Sequence, residues 1–284
     1  MSQGTDPASI RQLLEQATRL LDTESARLDA EVLLGYVLQQ PRSYFHAWPE
    51  KRLPYESRER FRHLLQQRRQ GRPVAYLTGE REFWSLPLNV TTDTLIPRPE
   101  TETLVAQALQ RLPAGQTQRV ADLGTGSGAI ALAIARERPQ CRIIATDIST
   151  AAIAVASSNA RQLGIDTVTF LSGNWCEPLA GKPLDMIVSN PPYIAESDPH
   201  LCSGDVRFEP RTALAAGVQG MDALTCIAHC AARHLQPGGW LLMEHGYDQG
   251  ELAKQLLENT GFIDITDHAD DAGQNRVIAG RHSP

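Results

Sequence analysis

The stretch 120–129, VADLGTGSGA, joins an apolar run to a glycine-rich turn that leads into an apolar helical pattern. From here through residue 259, short apolar runs alternate with segments of helical periodicity. Strands that alternate with helices in this way form parallel sheets with helices on both faces. The sequence therefore predicts an α/β fold with a doubly wound, mostly parallel sheet.

The order of the predicted elements places ligand-binding turns at one edge of this sheet. The predicted strands cover residues 120–123, 142–146, 168–171, 186–189 and 240–243, and the predicted helices cover 129–138, 149–162, 222–234 and 251–259. Two further runs, 262–266 and 276–279, have no helical pattern between them, so we expect them to pair antiparallel. In a doubly wound sheet the first and fourth strands lie side by side, and ligands bind above that point.

The first 78 residues have helical periodicity only, which predicts a small N-terminal helical domain. We expect three helices here, with the second stopped by Pro41, the third running from Pro54 to Gly71, and residues 1–7 forming a mobile start. One face of the third helix is basic: Arg58, Arg60, Arg62, Arg68 and Arg69. Such a face is either solvated or a docking surface for an acidic partner. We expect residues 79–98 to form a hairpin or linker and residues 99–284 to form the domain that contains the sheet.

Composition limits the classes of function. A net charge of −6 argues against a broad cationic surface for nucleic acid, and no apolar run approaches the roughly 20 residues that span a membrane. We therefore expect a cytoplasmic protein. The five cysteines form no CxxC pair and leave an odd one over, so we expect no disulfide framework and no metal site. Cys226 and Cys230 are interpreted as small buried residues of one helix.

The glycine-rich turn indicates an adenosine-type cofactor. Glycines let a backbone lie close against a ligand, and the helix that follows offers N–H donors to a negative group. Asp147 ends the second predicted strand, about 20 residues further on, where an acid accepts ribose hydroxyls. Gly124, Gly126 and Ala129 also fit the dinucleotide pattern, so the turn alone does not identify the cofactor.

A second motif follows the fourth predicted strand and indicates what receives the transferred group. Asn190, Pro191, Pro192 and Tyr193 interrupt the chain where prolines prevent a helix, which leaves carbonyl acceptors beside an aromatic ring. Two acceptors and a flat wall suit a planar –NH2 group. S-adenosylmethionine fits the opposite side, with its ribose at Asp147 and its ammonium near Asp122. A transfer of this kind needs no general base, so His245 is left without a role.

Four functions remain open from the residues alone. The pocket accepts either a glutamine carboxamide or an adenine-type amine, because both are planar conjugated –NH2 groups. An NAD-dependent oxidoreductase is compatible with the glycine spacing but leaves the motif at residues 190–193 without a use. A cofactor-binding module without catalysis leaves the same motif unexplained.

Several further segments make the chain resemble a known family. They are Arg81-Glu82-Phe83-Trp84, Ile96-Pro97-Arg98-Pro99-Glu100-Thr101-Glu102, Asn190-Pro191-Pro192-Tyr193-Ile194 and Phe208-Glu209-Pro210-Arg211-Thr212-Ala213-Leu214. With the glycine turn and the helical N-terminus, they resemble protein-(glutamine-N5) methyltransferases of the PrmC (HemK) type. These enzymes modify class 1 peptide chain release factors. The tetrapeptide at Asn190 is shared with adenine-N6 and guanine-N2 methyltransferases, so the combination carries the resemblance.

The resemblance implies a class I S-adenosylmethionine-dependent methyltransferase fold for residues 99–284 and a substrate-recognition role for residues 1–78. It implies methyl transfer to the glutamine of the Gly-Gly-Gln motif. We expect the enzyme to act as a monomer and to require no nucleic acid. The implied cofactor-binding residues are Gly124, Thr125, Gly126, Ser127, Gly128, Asp147, Trp175 and Asn190. The implied glutamine pocket is Asn190, Pro191, Pro192 and Tyr193, of which Asn190, Pro191 and Tyr193 are catalytic.

Overall fold

The computed structural model describes residues 8–179 and 183–283, and the expectation of a mobile start at residues 1–7 lies outside them. The chain divides into two compact units, Met1–Gly79 and Glu80–Pro284. The predicted hairpin segment therefore begins the second unit. None of the helices in the described part is long and apolar enough to cross a membrane.

The first unit is helical. Its helices are α1 Ile10–Leu20, α2 Ala26–Leu38, α3 Arg42–Ala47, α4 Tyr55–Arg69 and α5 Val74–Thr78. A capping box starts α1, since the Ser9 side chain accepts from the Gln12 N–H and the Gln12 side chain accepts from the Ser9 N–H. Its core is formed by Leu14, Leu33, Phe61 and their apolar neighbours. The prediction missed α3 and α5. Pro41 was interpreted as a stop and the third helix was ended at Gly71, whereas Pro41 and Pro73 each directly precede a helix.

One residue of the predicted basic face is not on the surface. Arg68 is buried, and its Nε donates to Asp29 Oδ2 at 2.7 Å. The prediction that Arg68 belongs to this face is therefore wrong: α4 turns it towards α2, where the buried Asp29 carboxylate supplies its charge partner. Arg60, Arg62 and Arg69 are exposed.

The second unit contains the predicted sheet. Its strands are β3 Arg119–Leu123, β4 Arg142–Asp147, β5 Val168–Ser172, β6 Leu184–Ser189, β7 Leu235–Glu244, β8 Phe262–Ala269 and β9 Asn275–His282. In the described part of the chain they form one seven-stranded sheet with the order β5-β4-β3-β6-β7-β9-β8. The pairs from β5 to β7 are parallel, and β9 is antiparallel to both β7 and β8. The predicted neighbours β3 and β6 and the antiparallel terminal pair are confirmed.

Helices cover both faces of the sheet. They are α6 Glu102–Arg111, α7 Ala129–Glu137, α8 Thr150–Leu163, α9 Asp222–His234 and α10 Gly250–Asn259. Val120 and Met186 pack on one face with residues of α6, α7 and α8, whereas Ala121 and Ile187 pack on the other with α9 and α10. Successive strand residues point to opposite faces, so continuous apolar runs give two cores. The helix over 222–234 is confirmed, while β7 is longer than predicted.

The antiparallel hairpin of β1 Glu80–Phe83 and β2 Leu86–Asn89 precedes α6. Phe83, Leu86 and Leu88 are buried in the core on the α6 side of the sheet. Asn159 of α8 fixes the hairpin, because its Oδ1 accepts from the Asn89 N–H at 2.8 Å and its Nδ2 donates to the Asn89 carbonyl at 3.0 Å. The hairpin thus packs onto the sheet domain.

The cysteines differ from the expectation. Cys176, which follows β5, is disulfide-bonded to Cys230 of α9, and Cys226 is exposed. The prediction failed because the two bonded residues are 54 positions apart and only the fold brings them together. Cys226 lies one turn before Cys230 on α9. It was predicted to be buried but is exposed. Among residues 8–179 and 183–283, no group of three or more His, Cys, Asp or Glu side chains is arranged to hold a metal ion.

Candidate active site

Two adjoining cavities lie at the carboxyl edge of the parallel strands. The glycine-loop cavity is lined by Gly124, Gly126, Asp147 and Trp175, among others, and has a volume of about 330 Å³. The Tyr193 cavity has a similar volume, about 330 Å³, and its wall includes the motif at residues 190–193. Both cavities share four residues: Leu95, Asn190, Pro192 and Ala213. Ligands in the two cavities would therefore meet at the wall that these four residues form.

The glycine turn is held against β4 by its own backbone. The N–H groups of Gly124 and Thr125 both donate to the Thr146 carbonyl, at 2.8 and 2.9 Å. Gly124 has a φ of +73°, and a Cβ at this position would lie 3.1 Å from the Trp175 ring. A glycine is needed here for both reasons, backbone conformation and close approach of the indole.

Asp147 is held at the end of β4 with its carboxylate facing the glycine-loop cavity. Its Oδ2 accepts from the Gly126 N–H and its Oδ1 accepts from the Ser149 N–H, both at 2.9 Å. Each carboxylate oxygen keeps further acceptor capacity. The carboxylate is thus fixed in orientation and still able to accept from the hydroxyls of a ribose.

Trp175 forms a wall of the same cavity. Its carbonyl accepts from the Thr146 hydroxyl at 2.9 Å, and the Gly173 N–H donates to the Asp147 carbonyl at 3.0 Å. These bonds fasten the turn after β5 to the end of β4. The indole is half-buried, which leaves a face for stacking on a flat ring.

Asp122 does not line either cavity, contrary to its expected place beside a ligand ammonium. It is fully buried beneath the turn, where its Oδ2 accepts from the Thr125 hydroxyl at 2.6 Å and from the Ala131 N–H at 3.2 Å. Burial raises the pKa of Asp122 to about 7, and the charge of Asp147 adds to this increase. Asp122 therefore supports the turn from below.

The motif after β6 is anchored on both sides. Ser189 donates its hydroxyl to the Leu123 carbonyl at 2.6 Å, and Gln249 Nε2 donates to the Tyr193 carbonyl at 3.0 Å. The Asn190 amide nitrogen donates to Thr101 Oγ1 at 3.0 Å. Within the described residues, the Asn190 side-chain oxygen and the Pro191 carbonyl accept no hydrogen bond. These two oxygens are the acceptors that the sequence predicted for a planar –NH2 group.

Tyr193 is oriented by a buried acid. Its hydroxyl donates to Glu244 Oε1 at 3.1 Å, and Glu244 is 1% exposed at the end of β7. Burial raises the pKa of Glu244 to about 7, and burial together with the Glu244 charge raises the pKa of Tyr193. Glu244 Oε2 has no hydrogen-bond partner in the described part of the chain.

Two distant segments that carried the family resemblance meet at the rim of the Tyr193 cavity. Glu209 is buried, its Oε2 accepts from the Ile96 N–H at 3.0 Å, and its Oε1 pairs with Arg98. The segments around Ile96 and Glu209 are thus one structural feature. Removal of Arg98 would leave the buried Glu209 carboxylate without its charge partner.

The predicted site residues are divided between the cavities. Gly124, Gly126, Asp147, Trp175 and Asn190 line the glycine-loop cavity. Asn190, Pro191, Pro192 and Tyr193 line the Tyr193 cavity. Thr125, Ser127 and Gly128 belong to the turn but not to either wall: Thr125 binds Asp122, and the Ser127 carbonyl accepts from Asn159 at 2.9 Å.

Sequence reasoning missed Thr101 and Glu244. Thr101 lay in a segment that was quoted only for the family resemblance, and its hydrogen bond to Asn190 spans 89 positions. Glu244 had a readable signal, because an acid at the carboxyl end of the strand next to β6 must lie at the ligand edge.

Comparisons with known proteins identify the relatives of this chain. The family model for the PrmC N-terminal domain matches residues 12–79, and the methyltransferase small domain matches residues 101–203. The chain is 51% identical over 272 residues to the release factor glutamine methyltransferase of Salmonella typhimurium, covering 96% of this chain and 98% of that protein. It is also 51% identical over 269 residues to that of Xylella fastidiosa strain Temecula1, covering 95% and 96% of the two chains.

A solved structure gives independent support for the fold. A methyltransferase from Pyrococcus furiosus superimposes with a TM-score of 0.54 at 16% identity, covering 70% of this chain and 90% of that chain. At this level of identity the likeness concerns the fold alone.

Proposed function

The chain belongs to the family of release factor glutamine methyltransferases, and we propose that it uses S-adenosylmethionine to methylate class 1 peptide chain release factors. The proposed acceptor atom is the side-chain nitrogen N5 of the glutamine in their Gly-Gly-Gln motif. The observation that carries this proposal is the pair of cavities that share Asn190. The glycine-loop cavity suits a nucleoside, and the Tyr193 cavity offers hydrogen-bond acceptors to an amide.

The glycine-loop cavity suits S-adenosylmethionine. Asp147 has acceptor capacity for the ribose hydroxyls, and Trp175 offers a flat face to the adenine. Gly124 and Gly126 let the backbone approach the ligand, while Thr125, Ser127 and Gly128 shape the turn from behind. When bound, S-adenosylmethionine supplies a methyl group that is activated by the positive sulfur.

The residues at 190–193 would make the glutamine nitrogen reactive. An amide nitrogen is a poor nucleophile because its lone pair is delocalised into the carbonyl. The Asn190 oxygen and the Pro191 carbonyl can accept both N–H groups, while Pro192 and Tyr193 enclose the carboxamide. Fixed acceptors would orient the nitrogen towards the methyl group and would stabilise the positive charge that develops on the nitrogen. No general base is needed, because the N-methylated cation is strongly acidic.

The nucleic-acid alternative shares this chemistry. An adenine-N6 or guanine-N2 amine is also a planar –NH2 group, but an adenine within a duplex must first be flipped out at a cost of several kcal/mol. The net charge of −6 opposes wide phosphate contact. The match of residues 12–79 to the PrmC N-terminal domain favours a protein substrate.

We further propose that the enzyme acts as a monomer, without nucleic acid, in the cytoplasm where release factors work. One chain supplies the described lining residues of both cavities. Residues 1–78 are proposed to recognise the release factor, residues 79–98 to connect, and residues 99–284 to bind the cofactor and catalyse transfer.

Fragmentation mass spectrometry of a purified release factor tests the proposed function. Incubation with the enzyme and S-adenosylmethionine should add one methyl group, 14 Da, to the Gly-Gly-Gln glutamine side chain. A release factor with alanine in place of that glutamine is the control and should remain unmodified. An unmodified glutamine together with N6-methyladenine in treated DNA would support the nucleic-acid alternative.

A further inference from the structure

An unassigned pair of buried residues, Thr101 and Glu244, contacts the motif at residues 190–193, and Glu244 also contributes to the wall of the Tyr193 cavity. Both are less than 5% exposed. Thr101 Oγ1 accepts from the Asn190 amide nitrogen at 3.0 Å, and Glu244 Oε1 accepts from the Tyr193 hydroxyl at 3.1 Å. The two ends of the motif are therefore each held by one member of this pair.

The two members also face one another. The Thr101 hydroxyl is close enough to Glu244 to lower the pKa of the carboxyl, although Glu244 Oε2 makes no hydrogen bond of full geometry within the described residues. An ionised carboxylate only accepts, so both hydroxyls must direct their protons towards it. The Thr101 oxygen is then free only to accept.

This polarity decides which end of the Asn190 amide faces the substrate. If Thr101 can only accept, the –NH2 end of Asn190 must point to it and the carbonyl end must point into the cavity. A threonine hydroxyl with no acid behind it can donate as readily as accept. It would then allow the flipped amide, which offers an N–H to the glutamine –NH2 where an acceptor is required.

We propose that Glu244, acting through Thr101, is the positioning residue that keeps the Asn190 side-chain oxygen directed at the substrate nitrogen, and that its contact with Tyr193 holds the ring in the same arrangement. The inference rests on the proposed function, since it assigns an acceptor role to Asn190. Neither Thr101 nor Glu244 would touch the transferred methyl group.

The environment of Glu244 sets the pH range in which Glu244 can orient the Asn190 amide. Burial raises the pKa of Glu244 to about 7, hydrogen bonds from Thr101 and Tyr193 and the charge of Arg276 lower it, and the charge of Glu100 raises it. Arg98 acts on Tyr193 from the same cavity. When Glu244 is protonated it can donate to Thr101, which frees the Thr101 proton for the flipped Asn190 amide. Turnover should therefore decrease as the pH falls through neutrality.

Three variants separate this role from a structural one. Glu244→Gln keeps the shape but can donate, Thr101→Val keeps the shape without a hydroxyl, and Thr101→Ser keeps the hydroxyl. We expect the first two to lower kcat at pH 8 by at least tenfold, with affinity for S-adenosylmethionine changed by less than threefold. Thr101→Ser should retain kcat within threefold, and Glu244→Gln should lose the increase of kcat across pH 6–8.

Stability and the double variant provide the decisive controls. Glu244→Gln replaces a buried acid with a neutral amide, so its melting temperature at pH 8 should not decrease; a merely structural residue would give a lower melting temperature with an unchanged pH profile. The double variant Glu244→Gln with Thr101→Val should lose no more kcat than the stronger single variant, because both act on one amide. Wild-type methylation of the glutamine with unchanged kcat and pH profile in both single variants would overturn the inference alone. Absence of glutamine methylation by the wild type would instead overturn the proposed function.

Discussion

Asn190 is one of the four residues that both cavities share, and its side-chain oxygen is proposed to accept from the substrate, so its removal should affect chemistry more than cofactor binding. We expect Asn190→Ala to lower kcat about 100-fold, the size found for loss of one preorganised electrostatic contact. The affinity for S-adenosylmethionine should fall much less, because Asp147 and Trp175 remain. Single-turnover kinetics and calorimetry measure the two quantities separately. Near-normal turnover at saturating substrate would exclude Asn190 from the proposed role.

Asp122 should make the stability of the protein pH-dependent. Its pKa is raised from 3.8 to about 7 by burial, so between these values the folded protein holds a proton that the unfolded chain has released. The stability contribution is present below about pH 4 and is lost as the pH rises towards 7. A shift of this size corresponds to about 4 kcal/mol.

Asp122→Asn is the matched variant for this effect, because asparagine does not titrate. The unfolding free energy of the wild type should decrease relative to that of the variant between pH 4 and pH 8, when both are measured by urea denaturation. Parallel curves for the two proteins over this range would contradict the raised pKa. The difference between the curves removes the contributions of all other titrating groups.

At the scale of elements, the disulfide joins the turn after β5 to α9. It closes a loop over 54 positions, and such a loop restricts the unfolded chain enough to stabilise the folded protein by about 4 kcal/mol. We expect Cys230→Ser, or a reducing agent, to lower the free energy of unfolding measured by urea denaturation by about 4 kcal/mol.

Cys226→Ser is the control for this prediction, since Cys226 lies one turn earlier on α9, is exposed and is unbonded. Its unfolding midpoint should match that of the wild type with the disulfide intact. Thiol titration of the unfolded, unreduced protein should find three free thiols. Five would show that the bond does not form under those conditions.

The elements that could be predicted from the sequence were those with a local signal. Ser149 and Gly164 mark the ends of α8 through a side-chain cap and a left-handed residue, and both signals lie within the segment that was predicted as a helix or next to it. By contrast, Pro237-Gly238-Gly239 has the composition of a turn, yet it lies inside β7, opposite an irregular register next to Leu184. The start of β7 is set by its pairing with β6, and the local sequence does not indicate it.

The same distinction holds in the candidate site. The glycine turn and the motif at residues 190–193 are contiguous, so their chemistry was readable from residue type and order. The Asn190–Thr101 and Arg98–Glu209 contacts link residues 89 and 111 positions apart. Both members of each pair are present in the sequence, but their contact could not be predicted, because it depends on the order of the strands in the sheet.

At the scale of the whole molecule, the division at Gly79 predicts that cofactor binding and substrate recognition can be separated. A truncated protein of residues 80–284 should bind S-adenosylmethionine within a few-fold of the full chain, because the described lining of the glycine-loop cavity begins at Asp93. Methylation of an intact release factor should fall at least 100-fold, since recognition is proposed to reside in residues 1–78.

Two controls accompany the truncation. Circular dichroism should show that residues 80–284 remain folded, and a short Gly-Gly-Gln peptide should be methylated about equally by both proteins. Undiminished methylation of an intact release factor by the truncated enzyme would place recognition in the second unit.

The common wall of Leu95, Asn190, Pro192 and Ala213 also determines the order of events in a catalytic cycle. Two ligands that meet at one partition must be present together, so the enzyme has to pass through a ternary complex. A ping-pong scheme with a methylated enzyme has no place in this arrangement, and double-reciprocal plots should intersect rather than run parallel. The spent cofactor should then compete with S-adenosylmethionine for its side of the partition and leave the release factor free to bind on the other.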